Sequence, residues 1–214
     1  MSYRTINDSS IFSFEEKKSE FIGRVKYVST EEEAKEFLNK VKNENKEARH
    51  NVFAYVIGEK KNIQRYSDDG EPQGTGGIPI LEVIKKNDLT DVVVVVTRYF
   101  GGILLGTGGL TRAYIKGAAE AVAKAEVLEK VKGYEVRLNL DYDLLGKIQY
   151  YFEQNNWITE EIAYTDKVEI MLYIEDAMLE TFIQDIKNIS SSRVENKISD
   201  FAIYFKSAIK LYKL

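Results

Sequence analysis

The chain has 214 residues, of which 44% are hydrophobic and 30% charged, a balance that is typical of a folded globular protein and excludes a disordered one. Cysteine is absent, which excludes disulfides, thiolate zinc sites and cysteine nucleophiles and favours a reducing, cytoplasmic location. The net charge of −4 excludes a protein-wide positive field, so any binding of nucleic acid must come from a local basic patch. The polar N-terminus predicts no secretion signal, and the longest apolar run, residues 92–96, is too short to span a membrane.

The first part of the chain alternates between strand and helix patterns. Residues 21–28 predict a strand, and the capping-box pattern of residues 30–33 predicts that a helix begins there. Residues 52–57 and 63–66 predict two strands paired around a polar turn. The β-branched run within residues 91–97 is typical of a strand covered on both faces, so we expect it at the centre of the sheet.

Two glycine-rich segments flank this central strand. Residues 67–79 are mostly Asp, Gly, Glu, Thr and Pro, which predicts a loop, and a short buried helix is expected from Ile80. The second segment, residues 101–110, joins the strand to a helix predicted over residues 110–128. Apolar residues recur there at helical spacing, and several alanines allow close packing on the sheet.

The last third of the chain predicts a smaller α+β domain. Its predicted elements are strand, helix, strand, strand, helix and a final strand pair, at residues 134–140, 144–152, 157–164, 168–174, 179–186 and 198–205. This βαββαβ order is of ferredoxin-like type. We therefore expect an α+β protein with two domains, residues 1–131 and 132–214.

The segment between the central strand and its helix lies where backbone N–H groups and the helix dipole can hold an anion. The candidate binding residues there are Arg98, Gly101, Gly102, Gly106, Gly108, Gly109, Arg112 and Lys116. Thr107 stands where a P-loop needs a lysine, and the glycine spacing does not fit the dinucleotide-binding fingerprint either. The alternative is that these glycines only supply positive φ angles and close helix-to-sheet contact.

Further candidates lie outside this segment. They are His50, Ser67, Asp68, Asp69, Glu71, Tyr99 and Tyr114. The three carboxylates within four positions can hold a hard cation, but Asp-Gly and Glu-Pro are also ordinary turn pairs. The single histidine excludes multi-histidine metal sites and is either a hydrogen-bonded structural group or a site residue. The tyrosines can stack on bases or fill a core. No catalytic residue, metal or cofactor is assigned.

Two motifs, YSDDGEP at residues 66–72 and TRYFGG at residues 97–102, together with the glycines after each, resemble the signatures of the Impact family, in its bacterial YigZ/YvyE branch. The resemblance extends over about residues 15–125. It implies an N-terminal Impact domain with the βαβ fold of a ribosomal-protein domain also seen in the GHMP kinases. It further implies a C-terminal ferredoxin-like domain similar to one in ribosomal translocation factors and a connection with ribosomes, RNA or translation. It supplies no catalytic activity that can be transferred to this chain.

The leading hypothesis is a noncatalytic, translation-associated regulatory protein that binds RNA or ribosomes. Arg98, Arg112 and Lys116 would contact phosphates. His50 with Tyr99 or Tyr114 would contact bases or sugars. The alternative is an enzyme or binder of phosphate-bearing small molecules, such as nucleotides, with magnesium held by the carboxylates of residues 68–71. A third hypothesis is an adaptor that binds a protein partner. None of the three places the chain in a membrane.

Overall fold

A computed structural model describes residues 2–207 and 211–212. The chain divides into an N-terminal unit, residues 3–128, and a C-terminal unit from residue 129 onward, each with its own sheet and core. The first elements, in chain order, are β1 (Tyr3–Ile6), β2 (Ser10–Glu16), β3 (Ser19–Tyr27), α1 (Glu31–Glu44), β4 (His50–Ile57), β5 (Ile63–Ser67), α2 (Gly77–Lys86), β6 (Val92–Tyr99) and α3 (Thr107–Lys124). The remaining elements are β7 (Val127–Leu140), α4 (Tyr142–Asn155), β8 (Glu161–Tyr164), β9 (Val168–Glu175), α5 (Asp176–Ser190), β10 (Glu195–Ile198), β11 (Ala202–Lys206) and β12 (Leu211–Tyr212).

The N-terminal unit contains an antiparallel sheet in the order β2-β3-β6-β4-β5, with helices on both faces. Val92, Val94 and Val96 of β6 belong to the core shared with α2 and α3. Val93 and Val95 belong to the core shared with α1. All five valines are fully buried. The prediction of a central strand covered on both faces is therefore confirmed.

The start of α1 follows its sequence signal. Thr30 Oγ1 accepts a hydrogen bond from the backbone N–H of Glu33 at 3.2 Å. The carboxylate of Glu33 accepts in return from the backbone N–H of Ser29 at 2.6 Å. The predicted capping box therefore forms, with its return bond shifted by one residue to Ser29.

The helix after the second glycine-rich segment is displaced from its predicted position. α3 begins earlier, at Thr107, because Gly106 adopts a φ of 72° and turns the chain into the helix. It ends at Lys124, because Ala125 is extended. Residues 127–128, predicted as helical, begin β7 instead.

Helix α3 packs on β3 through backbone contact. A Cβ atom on Gly23 of β3 would lie 2.0 Å from the carbonyl oxygen of Gly117 in α3. No side chain fits at this point, so the two glycines set the distance between α3 and the sheet.

We expect Gly23→Ala to destabilise the N-terminal unit by about 1–3 kcal/mol or more, because the added methyl group forces α3 away from the sheet. Urea unfolding followed by circular dichroism measures the change. The matched control is Gly146→Ala in α4, where an added Cβ meets no atom within 4 Å. That control is expected to be neutral or stabilising by up to about 1 kcal/mol. Equal stability of the two variants would contradict the close packing of α3.

The C-terminal unit has a sheet in which β10, β7, β9 and β8 lie side by side and are antiparallel. Apolar residues of α4 and α5 join the core on one face of this sheet. The predicted βαββαβ order is thus confirmed from β7 to β10. The expected final strand pair is different: β10 pairs with residues 136–139 of β7 and β11 with residues 129–133. None of the helices in the described part of the chain is long and apolar enough to cross a membrane.

Candidate functional site

The carboxylate of Glu71 is the buried centre of the predicted site. Its Oε1 accepts hydrogen bonds from Arg98 Nη1 and from Tyr114 Oη, each at 2.7 Å. Arg98 is 4% exposed and Tyr114 is fully buried. Burial, and after it the charge of Glu71, raises the pKa of Tyr114, so its hydroxyl stays a hydrogen-bond donor at neutral pH.

The position of Arg98 contradicts the prediction that its guanidinium contacts a phosphate. Beyond its pair with Glu71, the guanidinium donates to Ser19 Oγ at 3.4 Å. It also lies 5.5 Å from the ring centre of Phe21 and 5.3 Å from that of Phe100. A phosphate would have to displace this packing to reach it. The predicted roles of Tyr114 as a base contact and Glu71 as a metal ligand are wrong for the same reason, because both groups are inside the core.

Asp68 caps the second helix of the unit. Its carboxylate accepts hydrogen bonds from the backbone N–H groups of Gly74, Gly76 and Gly77 at 2.8, 2.9 and 2.8 Å. Gly76 is the N-cap of α2 and has no side chain of its own to cap the helix. Burial alone would raise the pKa of Asp68, but the three backbone bonds outweigh it and the pKa is lowered. The anion at this helix N-terminus is therefore part of the protein.

Asp69 holds the adjacent turn. Its Oδ2 accepts from the backbone N–H of Asn51 at 2.7 Å, and its Oδ1 pairs with Lys42 Nζ at 2.9 Å. Its own N–H donates to Ser67 Oγ at 3.1 Å, and its carbonyl oxygen lies 2.9 Å from His50 Nδ1. Because a carbonyl only accepts, Nδ1 of neutral His50 carries the proton and Nε2 is left as an acceptor.

These contacts direct the three carboxylates of residues 68–71 at protein donors and away from any shared point. Within residues 2–207 and 211–212, no group of three or more Asp, Glu or His side chains is arranged to hold a metal ion. The described part of the chain therefore offers no cluster of three such ligands for the magnesium of the alternative hypothesis.

His50 and Tyr99 do not meet, although they were predicted to contact one ligand. His50 pairs with Arg98 across the β4–β6 ladder, so its side chain shares the sheet face of α2 and α3. Tyr99 is the residue after Arg98 in β6, so its side chain points to the other face of the sheet. There its hydroxyl donates to Oδ1 of Asn45, just after α1, at 2.8 Å. The prediction that these two side chains contact one ligand is therefore wrong, because side chains alternate between the two faces along a strand.

The second glycine-rich segment is partly packed and partly open. A Cβ atom on Gly101 would lie 1.8 Å from the carbonyl oxygen of Lys18, so this glycine serves close packing against the β2–β3 turn. Gly102 and Gly106 have φ angles of 84° and 72° and no atom within 4 Å of an added Cβ. Gly108 is exposed in the first turn of α3. The packing interpretation therefore holds for Gly101, whereas the backbone at the start of α3 is accessible.

A basic cleft lies beside this open helix N-terminus. It has a volume of about 230 Å³ and is lined by Phe14, Glu16, Lys17, Leu105, Gly109, Arg112, Ala113 and Lys116. Arg112 and Lys116 are exposed, and the Lys116 ammonium lies 4.4 Å from the centre of the Phe14 ring. No side chain caps α3, and its first turn contains no acidic residue. Three cations, Lys17, Arg112 and Lys116, therefore line one surface cleft along the side of α3, and Gly109 of the first turn of that helix lines it too.

Comparison with known proteins places the chain in a family. Residues 17–122 match the Impact N-terminal domain, and residues 138–193 match a domain of unknown function, DUF1949. The chain is 39% identical over 212 residues to "IMPACT family member YvyE" of Bacillus subtilis, covering 99% of this chain and 97% of that protein. The chain belongs to the IMPACT family. Membership supports a regulatory role at the level of that family.

A second IMPACT-family relative and a solved structure are also similar to the chain. "IMPACT family member YigZ" of Escherichia coli is 39% identical over 137 residues, covering 63% of this chain and 67% of that protein. A solved structure described as "Crystal structure of an hypothetical protein" is 30% identical, with a TM-score of 0.61, and covers 91% of this chain and 96% of its own.

Part of the cleft in this IMPACT-family domain escaped the sequence prediction. Phe14, Glu16 and Lys17 lie at the β2–β3 turn, about ninety residues before α3 in the chain. The available signal was the pair Lys17 and Lys18 between two strand patterns, and both residues adopt positive φ angles in the turn. Their proximity to α3 follows from tertiary packing, which no local pattern reports.

We expect Glu71→Gln to reduce the free energy of unfolding of the N-terminal unit by about 3–5 kcal/mol, because it leaves the buried Arg98 guanidinium without a counter-charge. Chemical denaturation at neutral pH measures the loss. Tyr114→Phe is the control: it removes one hydrogen bond and keeps the ion pair, with an expected cost of about 1 kcal/mol. If Glu71→Gln costs no more than Tyr114→Phe, the ion pair does not hold the unit together.

Asp68 makes the N-terminal unit sensitive to acid. Because its pKa is lower in the folded protein, its stabilisation is fully present above the ordinary value of 3.8 and is lost as pH falls through the folded value. Asp68→Asn should cost about 1–2 kcal/mol at pH 7, and the gap to the unsubstituted protein should shrink as the pH falls below 3.8. Urea unfolding as a function of pH measures it. The control Glu36→Gln, exposed on α1, should show no such gap. A gap for Asp68→Asn that is constant with pH would refute the charged cap.

Proposed function

We propose that this protein is a noncatalytic, translation-associated regulatory protein that binds RNA, including RNA on the ribosome, through the basic cleft. The observation that supports the proposal is the convergence of Lys17, Arg112 and Lys116 on one cleft along the side of α3, which Gly109 of the first helical turn also lines. Cations and free backbone N–H groups are the two kinds of donor that contact phosphates in protein–RNA interfaces. Glu16 is the one acidic residue that lines the cleft, so the local charge is positive even though the whole chain is acidic.

The size of the cleft favours one phosphate group of a longer strand over a free nucleotide. A volume of about 230 Å³ is below the roughly 300–1,000 Å³ of pockets that enclose small molecules. Gly109, one of the lining residues, has no side chain that could block a nucleic-acid backbone. With the carboxylates of residues 68–71 bound to protein donors, nothing in the site favours a magnesium nucleotide.

Family membership also supports the proposed function. Membership in the IMPACT family supports a regulatory role. The resemblance to the Impact family implies a ribosomal-protein-like fold for the N-terminal domain, and we infer from it a connection of that role with translation. The proposed part for the N-terminal unit is therefore recognition of an RNA backbone, with no chemical step.

We expect the double variant Arg112→Glu with Lys116→Glu to bind RNA at least about tenfold more weakly at low salt, because two phosphate contacts are replaced by repulsion. The slope of log affinity against log salt should fall by about 1.4, at about 0.7 for each lost contact to a single strand. Fluorescence anisotropy with a labelled oligoribonucleotide and cosedimentation with ribosomes measure both effects.

The matched control is Lys35→Glu with Lys40→Glu. It makes the same change in net charge on exposed positions of α1, on the opposite face of the sheet. It should lower RNA affinity only slightly, through the overall field. Equal losses in the two double variants would mean that net charge alone matters, and unchanged binding in both would remove the cleft as an RNA site.

A further inference from the structure

A second concave surface lies in the C-terminal unit, between α4 and the edge strand β8. This edge groove has a volume of about 680 Å³, and the residues that matter to its chemistry are Gln149, Phe152, Glu153, Trp157, Thr159 and Ile162. The first three lie at positions i, i+3 and i+4 of α4, so they form one face of that helix. Ile162 belongs to β8, and the residues before it connect the two elements.

The strand that borders the groove has an unpaired edge. β8 is the last strand in the sheet order, and it pairs with β9 on one side. No strand of the described chain pairs with its other side. Backbone N–H and C=O groups on a free strand edge can pair with an added strand. The groove therefore combines a row of main-chain donors and acceptors with a hollow deep enough for side chains.

The floor of the groove is apolar and packs on the core of the C-terminal unit. Phe152 is buried in the core of the unit. The Trp157 ring is half-buried and meets the Phe182 ring edge-to-face, with 5.0 Å between centres. A ring fixed in this way offers a preformed surface to a large apolar side chain.

The rim is acidic. Glu153 is the one charged residue among those that line the groove, and it is exposed. A carboxylate at this position repels a nucleic-acid backbone and attracts basic side chains. The charge therefore favours a polypeptide over RNA at this surface.

We propose that the edge groove binds an extended segment of a partner protein, which adds a strand beside β8, places a large apolar side chain on Trp157 and carries basic residues on either side of it. Strand addition to a free sheet edge supplies affinity through main-chain hydrogen bonds, and the pocket beside the strand supplies specificity. The groove volume lies within the range of sites that enclose a ligand, and accommodates Leu or Phe side chains. This site is independent of the RNA-binding cleft, because its lining residues all belong to the C-terminal unit.

Trp157 is the only tryptophan in the chain and reports directly on binding. The probe is a library of acetylated, amidated peptides of the form Lys-Thr-x-x-x-Thr-Lys, with Val, Ile, Leu or Phe at each x. Members with Leu or Phe at the centre should change the Trp157 emission and bind with millimolar or better affinity to the full chain. Hydrogen exchange of the amides of residues 161–164 should slow on binding. N-methylation of alternate residues in the best peptide should abolish both effects.

Two variants test the groove without touching the core. Gln149→Phe on the exposed helix face should fill the hollow and prevent binding. Glu153→Lys should weaken the lysine peptide about fivefold and strengthen a peptide in which glutamate replaces lysine. Glu180→Lys, with the same charge change at an exposed position of α5, should leave the affinity unchanged.

Several outcomes would overturn the proposal. They are the absence of any binding peptide in the library, binding that survives N-methylation or Gln149→Phe, and a preference for oligoribonucleotides over the peptides at this groove. A dimer of the protein that Gln149→Phe dissociates and the peptides do not would assign the groove to a second copy of the chain, against a partner peptide. None of these results depends on whether the Arg112 and Lys116 variants bind RNA.

Discussion

One carboxylate oxygen connects three segments of the N-terminal unit that are distant in the chain. Glu71 Oε1 accepts from Arg98 at the end of β6 and from Tyr114 in α3, and both donors are buried. A buried ion pair adds little net stability compared with apolar residues of the same size, but loss of one partner leaves an uncompensated charge and is costly. The arrangement therefore acts mainly on geometry, because the loop, the central strand and the helix must be positioned so that both donors reach this oxygen.

That constraint separates the roles of the two glycine-rich segments. The first segment is directed inward, because Asp68, Asp69 and Glu71 each accept hydrogen bonds from protein groups. The second segment is fixed at Gly101 by contact with Lys18 and then opens toward solvent at Gly106. The result is one helix N-terminus that an internal carboxylate occupies and one that is free. Only the free one can receive an external anion, and it is the one that lies beside the cationic side chains.

The extent of the sequence prediction follows from the range of the interactions involved. The central strand was predictable because five consecutive valines are favourable only with both faces covered. The start of α1 was predictable because a cap is a contact within four residues. The ferredoxin-like unit was predictable because each of its elements has its own periodicity.

The candidate site was predicted less well, because its chemistry depends on distant partners. Arg98 and Arg112 are equally plausible phosphate contacts in the sequence, and Glu71, 27 residues before Arg98, decides between them. His50 and Tyr99 were predicted to contact one ligand, whereas the register of β4 on β6 places them on opposite faces of the sheet. A shift of one residue in strand register moves each side chain to the opposite face of the sheet, and the sequence alone does not determine that register.

The two proposed sites differ in charge, and the difference has a physical consequence. Residues 131–214 carry 14 acidic and 10 basic side chains, so the acidic excess of the chain belongs to the C-terminal part. A negative unit opposes indiscriminate binding to RNA, since nonspecific affinity depends on the number of phosphates neutralised. If both proposed sites bind as expected, the tightest binding is to a surface that offers both a phosphate for the basic cleft and a basic polypeptide segment for the edge groove. Ribonucleoprotein surfaces present both, because proteins bound to RNA are themselves basic. Two weak contacts on one chain multiply through effective concentration when both are engaged, so the chain would discriminate such a surface from free RNA and from free protein.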